Sequence, residues 1–218
     1  MGHGTNNKLQ YRDVVNSNRP MRGARERARE AMRAEVAVTV QDLVLEHGYE
    51  ETTIDDICAA AEISRSTFFR CFHSKDEALF GPTADAPEYL RDTLAARPAD
   101  EAPWVAMRRA LDPMIDRYEG HDERTRRLTR LMVNTPALAA RHREKNSRWH
   151  ELLRPEIARR LGADPADATD PRADAVIAAA LGCVEAALAA WTVDGQPRVL
   201  SEILDRAMGV AFTPERAE

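Results

Sequence analysis

Apolar residues recur at helical intervals along nearly the whole chain. Beginning near Arg25, Met32, Val36, Val40, Leu43 and Val44 share one face, with an i, i+4, i+7, i+8 repeat running from Val36. Gly48 supplies a left-handed stop after them. Thr53 is placed to cap a short helix whose inner face is Ile54, Ile57, Cys58 and Ala61, and Ser64 to cap a third reaching about Phe72. The run "SKDE", Ser74 to Glu77, has capping-box spacing and predicts a fourth helix that contains Leu79 and Phe80.

The pattern changes after Gly81 and Pro82. Nine prolines from Pro87 to Pro197 punctuate longer helical repeats, which predict helices near 87–96, 103–118, 122–133, 136–161, 172–192 and 197–211. Neither an alternating strand pattern nor a long repeat occurs in the sequence. The expected fold is therefore all-α: an arm over 1–24 without periodicity, a three-helix N-terminal domain over 25–80, and a larger helical domain over 81–218. The boundary between the two domains is expected within the helix that begins near Lys75.

Within the smaller domain, the short helix from Ile54 to about Ala61, a turn at Glu62 to Ser64 and a second short helix have the lengths of a helix-turn-helix. Ile57, Ile63, Phe68 and Phe72 would form the core that fixes the angle between its helices.

Composition narrows the class of protein. With 218 residues, 44% of them hydrophobic and 31% charged, the chain reads as soluble and globular. It has no uninterrupted apolar run of the roughly 18 residues a membrane span asks for. The polar start "MGHGTNNKLQ" lacks the apolar core of a secretory signal, so a cytoplasmic protein without a membrane partner is expected. Cys58, Cys71 and Cys183, odd in number and widely spaced, suggest neither a disulfide framework nor a thiolate metal site.

Charge is unevenly placed. The formal net charge is -5, yet residues 1–34 carry eight Lys/Arg against three acids, and Ile63 to Lys75 adds Arg65, Arg70 and Lys75 with no acid. Basic character confined to two short segments suits a small part of the molecule meeting phosphate.

The segment "GYEETTIDDICAAAEISRSTFFRCFHSKDEALF", Gly48 to Phe80, resembles the DNA-binding region of TetR-family transcriptional regulators. The Gly-aromatic start, the Thr52-Thr53 pair, the Ile-rich short helix, the Thr67-Phe68-Phe69 run and the Ser-Lys start of the next helix all have counterparts in that family. The resemblance implies a helical homodimer whose N-terminal domain binds double-stranded operator DNA and whose divergent C-terminal domain binds a small effector and the partner subunit.

A recognition helix enters the major groove with its first turn toward base edges, which here means Arg65, Ser66 and Thr67. Arg65 can donate two hydrogen bonds to guanine, and Thr67 offers a hydroxyl and a methyl. Thr53, His73, Ser74 and Lys75 are expected at the phosphate backbone, setting register, and Thr52 is a further DNA-contact candidate for which a solvated or capping role is the alternative. Two departures from the family pattern stand out. Glu62 occupies a turn position where relatives commonly have Gly, which implies a positive backbone angle. Phe69 stands where many carry Tyr and has no hydroxyl for a phosphate, leaving a sugar or thymine methyl as its contact.

In the larger domain Trp104, Met107, Leu111, Met114 and Tyr118 recur on one helix face, and Leu131, Trp149, Leu153 and Trp191 come from later helices. As a group they are candidates for the wall of an effector cavity, although ordinary core explains each one singly. "NTPALAARHREKNSRWHELLRPEIARRL" and "ADAVIAAALGCVEAALAAW" resemble the C-terminal domain of mycofactocin-regulator-type proteins. That resemblance implies an acyl-CoA-like effector, whose anionic head group Arg141, His142 or Arg148 would meet. The Ala-rich run with "VLSEILDRAMGVAF" would form a four-helix bundle across a two-fold axis.

No phosphate-binding glycine loop, HExxH or paired-cysteine motif occurs, and the six histidines lack metal-ligand spacing. No catalytic residues, metal or cofactor are therefore expected. The reading is a ligand-released repressor; an activator of the same fold, or a helical small-molecule-binding protein or enzyme with a merely structural helix-turn-helix, remain open alternatives.

Overall fold

The computed structural model describes residues 23–80, 86–119, 123–193 and 199–212. Eleven helices occur among the described residues, and strands do not. The fold is all-α. Most of the expected arm, residues 1–22, lies outside the described residues.

Four helices open the chain: α1 (Ala24–His47), α2 (Ile54–Ala60), α3 (Arg65–Cys71) and α4 (Lys75–Phe80). Seven follow: α5 (Ala86–Ala95), α6 (Pro103–Ala110), α7 (Asp112–Glu119), α8 (Glu123–Asn134), α9 (Pro136–Arg160), α10 (Arg172–Trp191) and α11 (Leu200–Phe212). One difference from the sequence reading lies at 103–118, where a single helix was expected and the chain forms α6 and α7. Pro113 has no N–H for a bond to the Arg109 carbonyl and its ring crowds that carbonyl, but it fits the first turn of a new helix beginning at Asp112. The apolar face Met107, Leu111, Met114 and Tyr118 continues through the break, which hid it.

The chain divides into two compact units, one of residues 1–40 with 53–81 and the other of 41–52 with 82–218. In the first, Val36, Ala37 and Val40 of α1 are buried, as are Ile57, Cys58, Phe68, Cys71, Phe72, Ala78 and Leu79. Phe68 and Phe72 stack obliquely, with ring centroids 5.7 Å apart. Three of the four expected core residues, Ile57, Phe68 and Phe72, are wholly buried, while Ile63 is half-buried.

In the second unit α10 is central. Its core face, from Ala173 through Ile177, Leu181 and Val184 to Trp191, packs on α9 and α11. By length and composition α10 could also cross a membrane, with a mean hydropathy of 1.8. Its apolar run is not uninterrupted, because Glu185 lies inside. A helix that packs one face into a helical core is apolar in the same way, and the face of α10 from Ala173 to Trp191 is so packed. On α8, Arg124 pairs with Asp42, and Arg127 donates to the Leu45 carbonyl at 3.2 Å.

Candidate DNA-binding surface and effector region

Seven residues cannot form a stable helix alone, so α2 and α3 depend on their caps and on packing. At α2 a capping box closes the first turn: the Thr53 hydroxyl accepts the Asp56 N–H at 3.2 Å, and the Asp56 carboxylate accepts the Thr53 N–H at 2.9 Å. At α3 the Ser64 hydroxyl accepts the Thr67 N–H at 3.1 Å. The intervening turn reverses through Glu62, whose φ is 52°, in the left-handed region anticipated from its sequence position.

The residues expected to meet DNA divide by environment. Arg65, Ser66 and Phe69 are exposed on α3, and Thr67 beside them is half-buried with its hydroxyl 3.0 Å from that of Ser64. The Arg65 guanidinium pairs with Asp55 on α2 and lies 5.9 Å from the centroid of the Phe69 ring. Phe69 in turn meets Phe68 edge-on at 5.4 Å. Thr52 differs from them: it is 2% exposed, and its hydroxyl donates to the Gly48 carbonyl at 2.7 Å. Thr53 is exposed, but its N–H and hydroxyl are engaged by Asp56. The His73 ring is almost fully exposed, Nδ1 lying 2.8 Å from the Glu77 carboxylate, and Lys75 is half-buried at the start of α4.

A strut that the sequence pattern did not reveal holds α3 against α1. Arg33 donates to the Cys71 carbonyl, pairs with Glu77 at 3.0 Å and sits 4.6 Å from the Phe72 ring centroid. Arg29 reaches the Arg70 carbonyl at 3.3 Å. Both arginines therefore meet the carbonyl end of α3, where the helix dipole favours cations. The expected capping box at Ser74 forms in altered shape: Ser74 accepts the Glu77 N–H at 3.1 Å, but the Glu77 carboxylate accepts the N–H of His73. Burial raises the Glu77 pKa, yet the hydrogen bonds from His73 and Arg33 outweigh it and hold the carboxyl below its ordinary value.

In the larger unit, Met107, Leu111, Leu153 and Trp191 belong to the buried core, with Trp104, Met114, Tyr118 and Trp149 packed against it. Eight of the nine cavity candidates thus share one cluster. The ninth, Leu131, is half-buried on α8. Tyr118 meets Trp191 edge-on at 6.2 Å, and burial pushes its phenol above the ordinary value against the opposing Arg117 charge. Arg126 lies over the other ring of this pair, 5.6 Å from the Trp191 centroid, and donates to the Trp191 carbonyl at 2.9 Å. Trp104 also lines an open groove of about 380 Å³ with Val105, Arg108, Arg109, Asp205, Met208 and Gly209. Of the head-group candidates, Arg148 pairs with Glu88, while the side chains of Arg141 and His142 lie outside the described residues.

A capped helix-turn-helix presenting Arg, Ser, Thr and an exposed aromatic, joined in one chain to a larger helical unit, defines the class of helical DNA-binding regulators. The chain belongs to the TetR family of transcriptional regulators. Residues 41–80 match the profile of bacterial regulatory proteins of the tetR family, and residues 101–212 match that of the MftR C-terminal domain. The HTH-type transcriptional regulator TcmR of Streptomyces glaucescens is 33% identical over 74% of this chain and 74% of its own. MftR of Mycobacterium tuberculosis, named for mycofactocin biosynthesis regulation, is 29% identical over 78% of this chain and 82% of its own. Among solved structures, Thermus thermophilus FadR, a TetR-family repressor crystallised with lauroyl-CoA, shares the fold with a TM-score of 0.53 at 19% identity, covering 85% of this chain and 98% of its own. NalD of Pseudomonas aeruginosa, a repressor of a multidrug efflux pump, gives 0.52 at 20% identity over 83% and 95%.

Proposed function

We propose that this DNA-binding regulator is a homodimeric repressor that leaves its operator when a small apolar or acyl-type effector occupies the C-terminal unit. The observation that carries the reading is the first turn of α3: Arg65 and Ser66 stand exposed, with Thr67 half-buried beside them, while the Ser64 hydroxyl takes up the Thr67 N–H and fixes the start of the helix. Arg65 and Thr67 read bases, Ser66 and Phe69 flank them, and His73 and Lys75 meet the phosphate backbone. Thr52 and Thr53 shape the entry to α2. Operator binding places the protein in the cytoplasm.

The effector reading rests on the shared cluster of Trp104, Met107, Leu111, Met114, Tyr118, Trp149, Leu153 and Trp191, and on the lauroyl-CoA held by FadR in the same fold. Leu131 completes the wall. Core packing this dense opens only when ligand binding offsets the lost contacts, so the liganded arrangement differs from the empty one.

The test is reciprocal titration with an operator duplex obtained by in vitro selection and lauroyl-CoA as probe. Lauroyl-CoA lowers operator affinity, and operator lowers lauroyl-CoA affinity by the same factor, roughly 5- to 150-fold. Equal affinities with and without operator refute effector release. Arg65→Ala and Thr67→Ala each weaken operator binding, the arginine by about 1–3 kcal/mol; unchanged binding by both refutes the recognition helix.

A further inference from the structure

We infer that Asp55 is a positioning residue for base recognition: together with the Phe69 ring it holds the Arg65 guanidinium so that one edge is presented to a guanine. The inference rests on the assignment of α3 as the recognition helix.

A carboxylate beside a surface that meets polyanionic DNA needs a reason. Asp55 lies in the first turn of α2, where any acid gains from the helix dipole, but its partner is Arg65, ten residues on and across the turn. Both side chains remain more than half exposed, 57% for Arg65 and 72% for Asp55, so the pair adds little to folding stability. Its consequence is orientation. An arginine left free spreads over many rotamers, and ordering it on binding consumes affinity.

The geometry leaves a usable edge. Asp55 Oδ1 takes a hydrogen of the Arg65 Nη1, and the ring of Phe69, one helical turn further along α3, lies 5.9 Å from the guanidinium carbon. Nε and Nη2 then form the edge opposite the carboxylate, and two parallel donors on one edge match O6 and N7 of guanine. The Asp55 charge has a second effect. It repels a phosphate from the same spot, which removes the alternative in which Arg65 serves as a backbone contact. The bracket also accounts for Phe69, a residue that is 46% exposed and has no hydroxyl to offer.

In vitro selection of binding sites by the full-length protein tests the inference, using the wild type, Asp55→Ala, Arg65→Ala and the double variant. Arg65→Ala flattens the preference at one base pair in each half-site. Asp55→Ala lowers discrimination at that same pair about 5- to 10-fold, leaves the other positions as they were, and raises affinity for random-sequence duplex. In the Arg65→Ala background, Asp55→Ala changes no base preference, because its action runs through the arginine. Asp55→Glu, which restores the charge, recovers part of the preference. The inference is overturned if Asp55→Ala leaves the Arg65 base pair as sharply read as in the wild type, or if it alters preferences equally with and without Arg65. An Arg65→Ala profile identical to wild type would instead remove the recognition assignment and the inference with it.

Discussion

Glu62 and Gly162 close the same motif at the ends of two different helices. After α2 the Ile63 N–H reaches the Cys58 carbonyl at 3.0 Å and the Glu62 N–H the Ala59 carbonyl at 3.3 Å. After α9 the Ala163 N–H reaches Ala158 at 2.9 Å and the Gly162 N–H reaches Arg159 at 3.1 Å. This is the Schellman arrangement, and its pivot is left-handed both times, at φ 52° for Glu62 and 65° for Gly162. Only the glycine adopts that angle without a Cβ penalty, which for other residues is about 1–2 kcal/mol. Glycine also loses more entropy on folding, about 0.4–1 kcal/mol. Glu62→Gly should therefore raise stability by about 0.5–1 kcal/mol, and Glu62→Val lower it by more than about 1 kcal/mol. Chemical denaturation followed by circular dichroism checks both; a Val variant as stable as the Gly variant would show that the turn relaxes freely. The strained angle was legible in the sequence because a helix-turn-helix fixes which residue must pivot. The Asp55–Arg65 pair was not, since ten intervening residues and a turn decide whether the two side chains meet.

At the scale of elements, α3 is positioned by α1 as much as by its own turn. Its last carbonyls are taken up by Arg29 and Arg33, and Glu77 of α4 fixes Arg33 in place. Glu77→Gln keeps the shape but loses the charge, and should cost about 1 kcal/mol at neutral pH. It should also weaken operator binding by loosening α3. The pH dependence follows from the sign of the shift. The folded-state pKa of Glu77 lies below the unfolded value, so its contribution is complete above about pH 4.5 and is lost as pH falls through the folded value. The stability gap between wild type and Glu77→Gln should narrow as pH falls below about 4.5; a gap as large in strong acid as at pH 5 would contradict the strut. Helix starts were readable wherever a side chain caps them, as at Thr53 and Ser64. The strut was not, because Arg33 sits on a helix whose polar face carries several arginines and local spacing does not distinguish the one that turns inward. The division at Pro113 escaped for the opposite reason, a periodic apolar face that runs on across it.

For the whole molecule, the proposed homodimer would supply affinity, since one helix-turn-helix covers a single half-site and a two-fold dimer covers two in register. A surface that joined the copies would lie where the chain accepts a cost that its own contacts do not explain. Gly182 lies inside α10, exposed, and beyond its own stretch of helix no described atom comes within 4 Å of where its Cβ would stand. A glycine there costs about 1 kcal/mol relative to alanine. Around it Ala175, Ala178, Ala179 and Ala186 form an exposed face of small residues, opposite the face that packs on α9 and α11. On α11 Val210 is 82% exposed. A second copy of α10 approaching closely along this face would account for both the glycine and the alanines. Gly182→Ala should then preserve the dimer with little change in stability, since the gain in helix propensity is set against crowding by the partner. Gly182→Leu should separate the copies, giving particles of 24.4 kDa in place of twice that mass in light scattering. Helix content should survive, because the added side chain enters open space within its own chain, while operator affinity should fall by at least 100-fold as one half-site is lost, at about 2.7 kcal/mol or more. A Gly182→Leu protein that stays dimeric with full operator affinity would move the two-fold axis off α10.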